Sequence, residues 1–266
     1  MCGIAGYSLS LRSGVDRTLA AQALLAGIAD RGADAVGYAY RGGQDEYPVV
    51  TKQRSPASRL LERIMVPDHA NELLIHVRDY TKGHPSIPAN NHPVRHGPII
   101  GIHNGIIVND DELLAPYSCA RSEPRMSVDS EAIFALAAHS QNDPHALEEL
   151  AGSMATAWLD HREPGTVFAA RGVGRPLWLG RGREEVFFAS TRTALEIASE
   201  YTGVRLRLSE VRDGTFFALR DGRVARTARF RPDRTYVEDG SLPAVRAPGQ
   251  SAYCLARLAA ITATAA

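Results

Sequence analysis

Small and apolar residues interleave from Cys2 to Ser8, a pattern that fits a strand beginning almost at the start of the chain. Residues 16–30 (DRTLAAQALLAGIAD) then carry apolar positions at helical spacing behind Asp16, a residue suited to cap a helix start. Short strand patterns follow at 37–40 and 47–51, a helix at 58–65, and two longer apolar runs, LLIHVR (73–78) and PIIGIHNGII (98–107). Residues 130–139 read as a helix capped by Asp129 or Ser130, and 144–151 as a second, opened by Pro144.

From Met154 onward the pattern changes. Runs such as MATAWLDH, TVFAARG, EVFFAST and GTFFALRDG alternate with turn residues, Asp213-Gly214 and Asp221-Gly222 among them, with one helix at 194–201. Strand-rich hairpins combined with two helix pairs predict an α+β architecture, two packed, mainly antiparallel sheets covered by helices: a four-layer αββα sandwich. Residues 2–230 form the expected domain. Residues 231–266 read as a Pro/Gly-rich, charged linker followed by a short alanine-rich tail, a helix suited to docking a partner.

With 266 residues, the chain is long enough to bury one large core. Acids and bases balance at 30 each, so net charge favours neither nucleic acid nor a membrane surface. No run approaches the roughly 18 apolar residues that span a bilayer. The three cysteines, Cys2, Cys119 and Cys254, are too scattered for a disulfide framework or paired-cysteine zinc site, which leads us to expect a cytoplasmic protein. His76, His84, His92, His96 and His103 crowd one stretch, yet their spacing fits no standard zinc motif, and neither metal nor cofactor is expected.

Cys2 carries candidate chemistry. Removal of Met1 leaves one residue with both a thiol and a free α-amine, whose ordinary pKa of about 7.7 to 8.0 lets it take the thiol proton near neutral pH. An isolated Met-Cys start reads more readily as a small buried hydrophobe in a first strand.

Further blocks stand in order along the chain: MCGIAGY at the start, Arg31-Gly32-Ala33-Asp34, HVRDYTKG (76–83), NNHP (90–93), HNGIIVND (103–110) and SVDSEAI (127–133), with AARGVGRPLWLG, FFASTRTAL and EVRDGTFFAL beyond. Their order resembles the class II glutamine amidotransferases, nearest to the glutaminase domains of glucosamine-6-phosphate synthase and amidophosphoribosyltransferase. The resemblance implies an N-terminal-nucleophile hydrolase fold in which Cys2 attacks the side-chain amide of L-glutamine.

It also implies roles for other residues. Arg78 would take the substrate carboxylate through its planar fork, with Thr81 and Gly83 completing that site. Asp129 would receive the ammonium. Asn104 and the Gly105 N–H would form the oxyanion hole, although Asn-Gly alone is also a common hairpin signal. Arg31, Asp34 and His103 would support the site from behind. One position departs from the pattern: Asp79 stands where the family places a large aromatic after the arginine, in a loop that closes over glutamine.

The expected function is therefore glutamine hydrolysis, with ammonia delivered to an acceptor site on a separate synthase polypeptide, because few residues follow the matched region. A homo-oligomer stays open. Alternatives are a stand-alone γ-glutamyl hydrolase on the same fold, a silent interaction module, and a metal-binding protein.

Overall fold

The computed structural model describes residues 2–42, 45, 47–115, 121–237 and 245–265; Cys119 and part of the linker lie outside them. The first strand, β1 (Gly3–Leu9), leads into helix α1 (Arg17–Ile28), whose start is capped as the sequence suggests: Leu19 N–H donates to Asp16 Oδ1 at 2.8 Å. The chain continues through β2 (Ala35–Gly42), β3 (Val49–Gln53), the one-turn α2 (Ala57–Leu60), β4 (Ala70–Arg78), β5 (Val94–His96) and β6 (Ile99–Ile107). Next come α3 (Asp110–Leu114), α4 (Glu131–His139), β7 (Gly152–Asp160), β8 (Thr166–Arg171), β9 (Trp178–Arg181) and β10 (Glu185–Ala189). Helix α5 (Arg192–Thr202), strands β11 (Arg207–Glu210), β12 (Thr215–Arg220) and β13 (Arg223–Arg229), and helix α6 (Gln250–Ala265) complete the order.

The strands form two antiparallel sheets, β11-β9-β10-β1-β4-β2-β3 and β13-β12-β8-β7-β6-β5. Period-2 alternation sorts their side chains into layers. Ile4, Leu74, Ile102, Ala157, Val167 and Phe188 meet between the sheets. Ala5, Tyr7 and Leu9, the other face of β1, pack with Leu24, Leu25 and Leu195 under α1 and α5. The second sheet is covered by α4, whose Ile133 and Phe134 share a core with Trp158 of β7. This is the expected four-layer αββα arrangement.

Helix α1 is buried on almost every side because α5 and α6 flank it, α6 contributing Cys254 and Leu258 to the same core.

Three local expectations are corrected. The helix read at 58–65 is only Ala57–Leu60, because tertiary bonds take over: Gln22 Nε2 donates to the Leu61 carbonyl at 3.0 Å, and Val66 N–H to Thr18 Oγ1 at 2.9 Å. The helix read at 144–151 is a 3-10 segment, Pro144–Glu149. At α4 neither Asp129 nor Ser130 caps with its side chain; both side chains are directed elsewhere.

Candidate active site

Cys2 precedes β1, the strand paired with both β4 and β10, so its thiol lies beside the end of β4. The half-buried sulfur is bracketed by one residue: Cys2 Sγ is 3.3 Å from the Asp79 carbonyl oxygen, and the Asp79 N–H donates to it at 3.5 Å. Burial pushes the thiol pKa up, more than the Asp79 main chain and the nearby Arg78 charge bring it down. At rest the sulfur is a thiol, and attack requires a base.

Arg78 ends β4 and is buried. Its guanidinium donates to Asn91 Oδ1 at 2.6 Å, to the Lys82 carbonyl at 2.9 Å and to the Gly83 carbonyl. The fork is thus engaged with its own loop. Lys82 in turn reaches Asp110 Oδ1 at 2.7 Å, at the start of α3. Asn90 and Asn91 brace the returning chain: Asn90 Oδ1 accepts from Ser127 N–H at 2.7 Å, and Asn91 Nδ2 donates to the Pro85 carbonyl at 2.8 Å.

Asp34 fixes the opposite side of the loop. Its carboxylate accepts from Tyr80 N–H at 2.9 Å, and its own N–H donates to the Arg78 carbonyl at 3.0 Å. A Cβ on Gly32 would sit 2.4 Å from the Arg78 carbonyl carbon, so only glycine allows this approach. Arg31 Nε donates to the Cys2 carbonyl at 3.2 Å.

Asn104 and Gly105 lie inside β6, paired with Ala155 and Met154 of β7, and not at a hairpin turn. Gly105 has φ of +149°, and a Cβ there would lie 1.9 Å from the Ser153 carbonyl oxygen. Asn104 is fully buried, and neither its Nδ2 nor its Oδ1 has a partner among the described residues. A buried amide without hydrogen bonds costs free energy, so it marks a place where a ligand group belongs.

Behind this strand sits a histidine network the sequence does not reveal. His103 Nε2 faces the Ser153 carbonyl at 3.3 Å, and His76 Nε2 the His103 carbonyl at 3.0 Å, so both nitrogens carry protons. His103 Nδ1 therefore accepts from Ser130 Oγ at 2.9 Å, and Ser130 accepts from His92 Nε2 at 2.9 Å. Burial lowers all three rings, His76 and His103 to about 3 and His92 well below its ordinary value, consistent with neutral tautomers. His84 pairs with Ser86 and His96 with Glu131, away from the other three. No group of three or more His, Cys, Asp or Glu among the described residues is placed to hold a metal.

Asp129 is buried and accepts from Ile107 N–H at 2.7 Å; burial raises its carboxyl to about 6. Its charge is felt at Arg78.

One cavity is lined by Cys2, Arg78, Thr81, His103, Gly105 and Asp129 together, with Asp79–Lys82 as its lid. Asn104, Gly83, Arg31 and Asp34 flank it. Its free volume is about 10 Å³, close to the least that admits a single water. A ligand larger than water enters this cavity only if residues 79–82 move. The residues that sequence reading left without a role are Asn90, Asn91, His76, His92 and Ser130. Their signal was the NNHP block and the histidine crowding, neither of which shows which side chains converge.

Comparison with known proteins finds likenesses of sequence and of fold. Residues 83–197 match the family model described as a glutamine amidotransferase domain. The chain is 29% identical over 247 residues to glutamine–fructose-6-phosphate aminotransferase (isomerizing) of Chlamydia muridarum, covering 90% of this chain and 39% of that protein. The enzyme of the same name from Shigella flexneri is 34% identical over 137 residues, 48% of this chain and 22% of that one. Among solved structures, the glutamine phosphoribosylpyrophosphate amidotransferase from B. subtilis superposes with a TM-score of 0.67 at 18% identity, over 86% of this chain and 49% of that chain. The chain thus spans less than half the length of these relatives.

Proposed function

This chain carries a class II glutamine amidotransferase domain with the N-terminal-nucleophile hydrolase fold, and from that premise we propose that it hydrolyses L-glutamine to glutamate and ammonia through a Cys2 thioester. The observation that carries the reading is the buried, unpartnered Asn104 amide on the strand whose next residue lines the Cys2 cavity.

The cycle begins when the lid opens and glutamine enters. Its carboxylate exchanges for the loop contacts of Arg78, with Thr81 and Gly83 beside it, and its ammonium pairs with Asp129. Once Met1 is removed, the α-amine of Cys2 accepts the thiol proton, directly or through a water, and the sulfur bonds to the amide carbon. Asn104 Nδ2 and the Gly105 N–H donate to the resulting oxyanion, a contribution of about 10²–10³ in rate per donor. Collapse breaks the C–N bond, and the proton held by the amine leaves with ammonia. Water then attacks the thioester and releases glutamate and the thiol. Arg31, Asp34 and His103 hold this machinery without touching the reacting atoms.

The same proposal places the ammonia acceptor outside this sandwich, on a separate polypeptide. Incubation with a glutamine analogue bearing an electrophilic diazoketone in place of the amide tests the reading. A one-to-one adduct on Cys2, suppressed by glutamine, supports it. An unmodified Cys2 with Met1 removed argues for a different substrate or a silent module.

A further inference from the structure

The aspartate that departs from the family pattern has a partner far along the chain. Arg246 Nε lies 2.9 Å from Asp79 Oδ2, and Asp79 is only 15% exposed. The segment bearing Arg246 is itself fixed: the N–H groups of Arg246 and Ala247 donate to the Asp30 carbonyl at 2.8 and 3.0 Å, and Ser251 N–H donates to Asp30 Oδ1 at 2.8 Å. Asp30 adjoins Arg31, which holds the Cys2 carbonyl. A single corner, Asp30-Arg31, therefore anchors the Cys2 main chain on one side and the segment entering α6 on the other.

We propose that Arg246 is a positioning residue for Cys2: it clamps Asp79, whose main chain brackets the Cys2 sulfur, and so sets how readily the 79–83 lid opens. The inference rests on the glutaminase reading in treating Cys2 as the nucleophile. An aromatic at position 79 could restrain the lid by packing; a carboxylate, mostly out of water, needs a counter-charge. The linker and the last helix thus reach the site through one ion pair, which couples anything that displaces the 246–251 segment to access at Cys2.

The test is the rate of Cys2 alkylation by iodoacetamide in the full chain, followed by mass spectrometry of the N-terminal peptide, for the parent protein, Arg246→Ala, Asp79→Asn, Arg246→Lys and the exchange Asp79→Arg/Arg246→Asp, each with its thermal midpoint. Three- to tenfold faster alkylation in Arg246→Ala and Asp79→Asn, with Arg246→Lys and the exchange returning towards the parent rate at similar thermal midpoints, is the expected result. Alkylation within twofold of the parent in both single variants, or an acceleration that neither Lys nor the exchange reverses, would overturn it. Alkylation requires no glutamine chemistry. Loss of the glutaminase reading would instead show as absent glutamate release by the parent protein.

Discussion

Arg78 donates to the Asn91 side-chain oxygen at 2.6 Å while its other nitrogen satisfies carbonyls of its own lid. The arginine expected to hold the substrate carboxylate is, in the closed state, the pin that keeps the site shut. Glutamine binding must then be an exchange of partners, with Asn91 holding the guanidinium in orientation throughout. Arg78→Lys keeps the charge but loses the fork, and we expect kcat/KM to fall about 10- to 100-fold, mainly through KM. Steady-state kinetics checks this; a fall confined to kcat would place Arg78 outside the binding site.

Asn104 gives a prediction in which activity and stability separate. Its amide is buried without partners among the described residues, so Asn104→Ala removes two unsatisfied groups at the expense of a small cavity. Stability should stay within about 1 kcal/mol of the parent, whereas kcat should drop about 10²–10³-fold. Denaturant unfolding and initial rates measured on the same preparation check both halves.

The carboxyl of Asp129, raised to about 6 by burial, predicts an acid limb in kcat/KM. Above that value the free site offers a carboxylate to the substrate ammonium; below it the group is protonated and binding weakens. The expected profile declines roughly tenfold per pH unit once below about 6. Asp129→Asn should abolish the limb and raise KM above pH about 6, where the parent offers a carboxylate.

The neutral histidines predict how stability depends on pH. Their folded pKa values are lowered, to about 3 for His76 and His103, so the folded state holds fewer protons than the unfolded chain between there and the ordinary value of about 6.5. Their contribution is complete above about 6.5 and is lost as pH falls through that window, by up to about 1.4 kcal/mol per pH unit for each ring. Asp129 and Glu72, raised by burial to about 6 and about 7, oppose this, two groups against three. Urea unfolding at pH 7 and pH 5 should show the decline, and His92→Asn should flatten it.

Much of the fold was legible because hairpin strands and their turns are local signals: β7, β8, β10 and β12 fall where alternation placed them, and α1 begins at Asp16. The misreading at the start of α4 has a tertiary cause. The carboxylate and hydroxyl of Asp129 and Ser130 suit a helix cap by residue type, yet tertiary partners, Ile107 N–H and two imidazoles, claim them. At the site, Cys2, Arg78, Gly105 and Asp129 are gathered into one cavity. Neither spacing nor composition could show that Arg246 reaches Asp79 across the whole domain, since that contact depends on how α6 lies against α1.

The most direct measurement is glutamate release from glutamine by the purified chain with Met1 removed, beside Cys2→Ala. Release that depends on glutamine concentration and vanishes in Cys2→Ala is the predicted result. No release by the parent protein, alone or with candidate acceptor proteins added, or equal release by Cys2→Ala, would contradict the account.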